Sequence, residues 1–564
     1  MSLTPVEKIK QGIRTALCAS VEACVSNGET PLVEAPEIVI EAPSRKEHGD
    51  YATNLALVLG SLTKKPPRKI AEALVRHLPP GAGYIARTEV AGPGFINFFL
   101  DRHWLHGVVR EVYGSGHDYG RTGRGQGKRV QVEFISANPV GPMTVVQARA
   151  GAVGDTLASL LSYSGHDVER EYYVNDAGQQ VKDLGLSLEI RTRQVLGEQV
   201  DLPERCYPGE YVIDMARELL VEKGSSFFAL PDVERRRAFI DWGVARIVRR
   251  QREDVSRYGI DFDVWFSERT LHETGAVRRA IEILSSRGHM YRSEGALWFR
   301  STAFGDDKDR VMVKSDGEYT YLAPDTAYHL NKFERGFETV IDIWGPDHHG
   351  YIPRMNAAVQ ALGYPEGALE VLIVQLVRLV RGGEAVRMSK RGGTIILMDE
   401  LLEEVGKDAA RFFFLTRAPA SHLDFDIDLA KLESNENPVF YVQYAHARIS
   451  SIFREARGRG YLVPLDGLDG VDLDLLMDES ELDLMKKIAD LPEEIADAAL
   501  AREPHRMTRY VLELATLFHS FYTRCRVLSD DKALSLARLA LTRATQVVLK
   551  TVLHIIGVTA PESM

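Results

Sequence analysis

The sequence predicts a multidomain α/β protein: a doubly wound parallel-sheet domain with a helical insertion in the middle, a small α/β domain before it and an all-α bundle after it. Three observations carry that prediction. The chain has 564 residues, too long for one ordinary core of about 100–150 residues. Its composition, 45% hydrophobic and 26% charged, is that of soluble globular proteins, which excludes disordered and collagen-like chains. The hydrophobic pattern changes along the chain, from mixed to strand–helix–strand to almost wholly helical past about residue 437.

The first unit, placed at 1–118, reads as an opening helix, a strand at 37–40, helices over 51–62 and 67–77, and a strand at 95–99 entered through the turn Gly92-Pro93-Gly94. The stretch 120–129 is Gly-rich and basic and reads as a linker. It fails as a phosphate loop, because Arg129, and neither Ser nor Thr, follows Gly127-Lys128. The middle unit is placed at 119–436. A strand at 130–135, a helix over 146–162 closed by Gly165, and a strand at 168–174 form a β-α-β unit, the start of a Rossmann-like sheet. Residues of about 179–301 read as a helix-rich insertion, with strand signals resuming at Val311, 339–343 and 369–379. In the last unit, 437–564, Leu512, Leu514, Leu517, Phe518 and Phe521 make one apolar stripe, as in a helical bundle.

The net charge of −11 argues against nucleic-acid binding by bulk electrostatics and leaves room for a local basic track. The four cysteines, Cys18, Cys24, Cys206 and Cys525, include no C-x-x-C pair, so a reducing, cytoplasmic setting is expected, without a structural metal or a disulfide framework. No signal-peptide core and no run of about 18 apolar residues occurs, so neither secretion nor membrane spanning is expected.

Three segments carry residue types suited to chemistry. The turn after Ile135, Ser136-Ala-Asn-Pro-Val-Gly-Pro-Met-Thr-Val-Val-Gln147, lies where a doubly wound sheet binds ligands. Ser136, Asn138, Thr144 and Gln147 are placed there to meet a nucleotide or its co-substrate, or else to form a polar turn with a helix cap. The second segment, Arg381-Gly-Gly-Glu-Ala-Val-Arg-Met-Ser-Lys-Arg-Gly-Gly393, is a basic stretch between glycines, able to bring cations onto a phosphate or simply to be a solvated loop. The third is Tyr321-Leu-Ala-Pro-Asp325 with Trp344-Gly-Pro-Asp-His-His-Gly350. If Asp325 opens a helix after Pro324, its carboxylate and the Tyr321 hydroxyl share a pocket suited to a planar cation such as guanidinium; alternatively Asp325 only caps that helix. His348-His349 lacks a third ligand at useful spacing, so no metal is expected there.

At these segments the sequence resembles the bacterial-type arginyl-tRNA synthetases, class I aminoacyl-tRNA synthetases. The likeness extends to Glu47-His-Gly-Asp-Tyr-Ala-Thr-Asn54, Ala91-Gly-Pro-Gly-Phe-Ile-Asn-Phe98, Tyr173-Val-Asn-Asp-Ala-Gly178, Ser434-Asn-Glu-Asn437 and Tyr441-Val-Gln-Tyr-Ala-His-Ala-Arg448, and so covers nearly the whole chain. It implies an N-terminal domain touching the tRNA, a catalytic domain and a helical anticodon-binding domain. By resemblance, Ser136 and Asn138 match positions holding the amino and carboxylate ends of arginine, and Tyr321 and Asp325 match those recognising its guanidinium, with Asp347 and His348 near the inner wall of that pocket. Arg387, Met388, Ser389 and Lys390 match the mobile loop that stabilises the ATP phosphates, with Lys390 the acting lysine. Tyr441, Tyr444 and Met564 match residues that meet the anticodon loop.

One departure stands out. The family places His, an aliphatic residue, Gly and His where this chain has Thr144-Val145-Val146-Gln147. Thr144 and Gln147 are left as neutral donors to ATP, and Val146 adds a branched side chain where adenine packs on glycine. Members without the mobile-loop motif carry a lysine at the position of Gly141, so the loop with Lys390 is expected to be needed here. The expected function is an arginine–tRNA ligase acting on ATP (with Mg2+), L-arginine and arginine-specific tRNA, as a monomer. Two alternatives are a synthetase-like tRNA- or arginine-binding regulator with impaired adenylate formation and, more weakly, transfer of activated arginine to another acceptor.

Overall fold

The computed structural model describes residues 4–31, 36–43, 45–79, 84–386, 396–465 and 467–564. Thr4 starts the first helix, Pro5–Ser26, with a reciprocal cap: Glu7 N–H donates to Thr4 Oγ1 (3.0 Å) and Thr4 N–H to the Glu7 carboxylate (2.8 Å). The N-terminal sheet is antiparallel, with Phe95–Leu100 between Tyr51–Thr53 and Ile85–Ala91. Two expectations are corrected there. Residues 51–53 are a strand paired to Phe95–Leu100, so the helix begins only at Leu55. Residues 37–40 are no strand, since the pairing nearby is a single bridge from Glu41 to Ala52.

The basic connection is fastened, which the linker reading did not foresee. Gly125 N–H donates to Ser164 O (2.7 Å) and Gly127 N–H to Gly165 O (2.8 Å). Arg124 ion-pairs with Glu7 (3.3 Å), Glu493 (2.7 Å) and Asp497 (3.2 Å), tying the three parts of the chain together at one point.

The central sheet has five parallel strands in the order Leu369–Ile373, Thr339–Trp344, Arg129–Glu133, Asp167–Val174, Val264–Ser267. The chain winds one way from Arg129–Glu133 through the next two strands and the other way through Thr339–Trp344. The switch point, where such sheets bind ligands, therefore lies at the carboxyl end of Arg129–Glu133. The helix Val145–Tyr163 follows this strand and is buried on nearly every side. A Cβ at Gly154 would stand 2.3 Å from Phe134 Cγ, so glycine is what lets this helix lie on the chain leaving the strand.

The insertion is shorter than the sequence suggested. Its helices are Gln179–Val195, Glu210–Lys223 and Asp232–Arg257, after which Val264–Ser267 joins the sheet as its edge. A small antiparallel sheet then forms from Met290–Ser293, Ala296–Phe299 and Arg310–Val313. The strand signal at 369–379 is two strands in different sheets. Leu369–Ile373 belongs to the central one, while Val377–Arg381 pairs with Leu423–Asp426 and Glu384–Ala385.

The last part is helical: Pro438–Gly458, Glu479–Ala489, Leu491–Ala501, Arg506–Arg524 and Lys532–Ile555. Leu514, Phe518 and Phe521 of the predicted stripe are fully buried, with Leu512 and Leu517 packed against the same core. Arg411, itself fully buried, joins this bundle to the sheet domain. It donates to Ile556 O (2.8 Å) and Tyr258 O (3.3 Å), and ion-pairs with Asp155 (2.5 Å) on the helix Val145–Tyr163. No helix among the described residues is long and apolar enough to cross a membrane.

Candidate active site

The carboxyl end of Arg129–Glu133 turns sharply. Ile135 (φ 68°) and Ser136 (φ 40°) are both left-handed, a conformation that costs a non-glycine residue about 1–3 kcal/mol and persists only when its surroundings enforce it. Four hydrogen bonds enforce it here. Ser136 Oγ donates to Glu133 Oε1 (2.8 Å) and accepts from Tyr173 N–H (3.1 Å). The Tyr172 hydroxyl clamps the next peptide, accepting from Ala137 N–H (3.1 Å) and donating to Ala137 O (3.2 Å). The Ser136 hydroxyl is thus committed to holding Glu133. Asn138 stands exposed at the mouth, with its carbonyl accepting from Gln251 Nε2 (3.2 Å).

Facing this turn is the helix Leu322–Glu334, which starts three residues earlier than the sequence suggested, so Pro324 sits in its first turn. Asp325, His329 and Lys332 follow at helical spacing on one face. Lys332, fully buried, donates to Glu133 Oε2 (2.6 Å) and Asp342 Oδ1 (2.8 Å). The two ring nitrogens of His329 lie 2.8 Å from Asp325 O and 2.9 Å from Asp342 Oδ2. Burial opposes ionisation of Asp342, yet Lys332 and His329 outweigh it and bring this carboxyl down to about 2.

In this structure the Tyr321 hydroxyl does not stand beside the Asp325 carboxylate. Tyr321 is 77% exposed, and Tyr351 occupies the place beside Asp325, its hydroxyl donating to Asp325 Oδ2 (2.6 Å). Asp347 and His348 are exposed on the short turn Pro346–Tyr351 that delivers Tyr351. Three carboxylates converge instead. Burial pushes Asp325 upward against the Tyr351 hydrogen bond, and burial with the charge of Asp325 pushes Glu268 upward. Burial raises Glu133 against the pull of Lys332. The Tyr173 hydroxyl is driven far up by burial and then by Glu268, Asp325 and Glu133 together. Dehydrated negative charge of this kind is a receptor for a hydrogen-bonding cation.

At the start of the helix Val145–Tyr163, Thr144 and Gln147 bond each other. Thr144 N–H and Oγ1 both donate to Gln147 Oε1, at 2.9 and 2.6 Å. That leaves the Gln147 amide nitrogen as the donor for a ligand, beside half-buried Val146. Thr144 also pairs with Leu397, and Met398 N–H donates to Met143 O (2.9 Å), so this helix end is stitched to the segment that follows the basic loop. Arg387, Met388, Ser389 and Lys390 lie outside the described residues.

Two clefts lie apart from these residues. One of about 270 Å3 is lined by Asp176, Gly178, Lys182, Arg237, Asp241 and Arg269. Its carboxylates are engaged within the chain: Asp176 accepts from Ser267 Oγ and Arg269 N–H, and Asp241 pairs with Arg269 and Arg237. The other, about 780 Å3, runs between the sheet domain and the helical bundle and reaches Phe440, Gln443 and Met564. Nearby, the Tyr441 and Tyr444 rings pack on His519 (4.8 and 6.0 Å), and the Arg448 guanidinium lies between Tyr444 and Tyr522 (4.8 and 4.9 Å).

The sequence reading missed Glu133, Glu268, Tyr173 and Tyr351. Asp342 is a detectable signal, a charge within the apolar strand Thr339–Trp344 that demands a buried partner.

Comparison with known proteins agrees along the whole chain. Family models match at 7–100 (arginyl tRNA synthetase N terminal domain), 109–415 (class I tRNA synthetase (R) catalytic domain) and 442–564 (DALR anticodon binding domain). The arginine–tRNA ligase of Symbiobacterium thermophilum is 52% identical over 560 residues, covering 99% of this chain and 100% of its own length. That of Desulforamulus reducens is 47% identical over 559 residues, covering 99% of each. Arginyl-tRNA synthetase structures from Thermus thermophilus (24% identity, TM-score 0.74, 98% of this chain and 100% of that one) and Plasmodium falciparum (16%, 0.75, 98% and 99%) share the fold. The chain belongs to the arginyl-tRNA synthetase family of class I aminoacyl-tRNA synthetases.

Proposed function

We propose the following division of labour in this arginine–tRNA ligase, within domains at 1–118, 119–436 and 437–564. The observation that carries it is the pocket of buried Glu133 and Glu268 and half-buried Asp325 at the sheet's switch point, where burial opposes the ionisation of all three. Asp325, held by Tyr351, takes the guanidinium of L-arginine, with Tyr321 turning in over it and Asp347 and His348 at the rim. Glu133, aimed by Ser136 and Lys332, receives the α-ammonium, and the Asn138 amide donates to the carboxylate.

ATP enters as its magnesium complex against the N-terminus of Val145–Tyr163, where free N–H groups and the Gln147 amide meet phosphate, adenine packs beside Val146 and Thr144 holds Gln147 in place. The arginine carboxylate oxygen attacks the α-phosphorus, the bond to the β-phosphate oxygen breaks and pyrophosphate leaves. Arg387, Met388, Ser389 and Lys390 serve the departing charge, Lys390 supplying the cation. A terminal ribose hydroxyl of the tRNA then attacks the arginyl carbonyl and AMP leaves. The chain's role is positioning and electrostatics, with no covalent enzyme intermediate.

The cleft with Lys182, Arg237 and Arg269 suits phosphates of the incoming tRNA end. Tyr441, Tyr444 and Met564 stack on the anticodon loop, at about 1–3 kcal/mol per base. We infer a cytoplasmic setting, a reading supported by four free cysteines, and a monomer. Full-length likeness to arginine–tRNA ligases does not favour the regulator alternative.

The test is charging of arginine-specific tRNA with labelled arginine and ATP by the parent and by Lys390→Ala. The parent charges, and the variant is slower by about 10²- to 10³-fold. A parent that binds tRNA without charging it overturns the assignment, and an unaffected variant overturns the role of the loop.

A further inference from the structure

We propose that the N-terminal domain holds a zinc-type divalent cation between Cys24, Glu29 and His77. One ligand atom from each, the Cys24 sulfur, a Glu29 carboxylate oxygen and a His77 ring nitrogen, lie within 4.8 Å of one another. His77 Nε2 is already 3.3 Å from Glu29 Oε2, close to the separation of two donors on one zinc ion, whose bonds are about 2.0–2.3 Å long. Drawing in the sulfur requires a shift of about 1 Å.

The backbone around the cluster is built to keep it in place. Cys24, 1% exposed, ends the first helix. Gly28 (φ 70°) reverses the chain, so that Glu29 N–H and Thr30 N–H both donate back to Cys24 O (2.9 and 3.2 Å). His77 caps the end of Pro67–Arg76 through its N–H to Ala73 O (3.2 Å). Arg76 holds the other carboxylate oxygen, Glu29 Oε1, at 3.1 Å, leaving Oε2 turned to the imidazole, and Lys65 Nζ donates to Glu29 O (2.7 Å). Such outer bonds are what orient ligands in metal sites.

The donor set is one thiol, one imidazole and one carboxylate, a zinc combination with a fourth position for water. Burial, and then the Glu29 charge, push the proton affinity of the Cys24 thiol upward, with Arg76 opposing. Binding releases that proton, and the thiolate and carboxylate then balance the two charges of the ion. The ion fastens the end of the first helix to the end of the third, a staple in a domain with a small core. The ligands are spread over 53 positions with no cysteine pair, so spacing alone gives no sign of the site.

The test uses the full chain stripped with a chelator and titrated with cobalt(II), then with zinc in competition. The parent takes up one equivalent of cobalt with a thiolate charge-transfer absorption, and zinc displaces it. Cys24→Ser and His77→Gln each weaken uptake by about 100-fold or more, beyond the roughly 10- to 100-fold effect of an outer partner. Cys206→Ser leaves uptake unchanged, and tRNA charging by all variants reports that they fold. A parent without the thiolate band, or a band that survives Cys24→Ser, overturns the site.

Discussion

Replacing Asp325 by asparagine isolates the charge of the guanidinium pocket. The substitution keeps an oxygen to accept from the Tyr351 hydroxyl, now 2.6 Å away, and keeps the size of the side chain. What it removes is one unit of negative charge on a half-buried carboxyl whose ionisation burial opposes. At about 4 Å and an effective dielectric of about 20, one pair of unit charges is worth about 4 kcal/mol. The remaining carboxylates, Glu268 and Glu133, recover part of that. A net loss of about 2–4 kcal/mol raises KM for arginine roughly 30- to 800-fold. The assay is tRNA charging across a range of arginine concentrations, with saturating ATP and tRNA. The pH dependence supplies an independent check. Burial lifts the free Asp325 carboxyl above its ordinary value, and a bound guanidinium lowers it again, so arginine binding releases a proton. Affinity is therefore full above the raised value and lost as pH falls through it, in the parent and not in the asparagine variant. A KM within about threefold of the parent, or an identical acid limb in both proteins, refutes the pocket.

Lys332→Met leaves Glu133 and Asp342 buried without their cation and costs about 3–5 kcal/mol, read as a lower urea midpoint; an unchanged midpoint refutes the weight given to this pair. Gly154→Ala reverses the usual sign for a helical glycine, where alanine gains about 1 kcal/mol. Here the added methyl meets Phe134 at 2.3 Å, so thermal unfolding should show a loss of about 1–3 kcal/mol, and a stabilised variant would show that the strand–helix contact yields. Combining Thr144→His, Val146→Gly and Gln147→His speeds adenylate formation while giving up a helix cap worth about 1 kcal/mol. Unchanged adenylate kinetics would remove these positions from the ATP site.

The strand–helix–strand start of the sheet was legible because its helix repeats apolar residues over five turns and its strands are long enough to alternate. The four-residue edge strand Val264–Ser267, half-buried throughout, has no such pattern and vanished into the helices around it. In the pocket, Asp325 could be read from its neighbours in sequence, but its partners could not. Tyr351 lies 26 residues away and the Glu133–Lys332 pair spans 199, so only the fold brings them together. The left-handed turn at Ile135 was equally hidden, since a β-branched residue is the last choice for that conformation and only Tyr172, Tyr173 and Glu133 hold it there.

The buried guanidinium of Arg411 bears on the order in which this protein is made. Synthesis supplies Asp155 and Tyr258 first, then the arginine, and its last acceptor, Ile556 O, only 145 residues later. Until the bundle emerges, the guanidinium has its Asp155 ion pair and Tyr258 O but lacks the acceptor for its Nε, one charge-assisted hydrogen bond worth about 1.5–3 kcal/mol. The nascent sheet domain is therefore less firmly closed at this arginine than the finished protein. A ribosome stalled between 411 and 556 presents a sheet domain whose seam at Arg411 opens more readily to proteases than in the full-length chain.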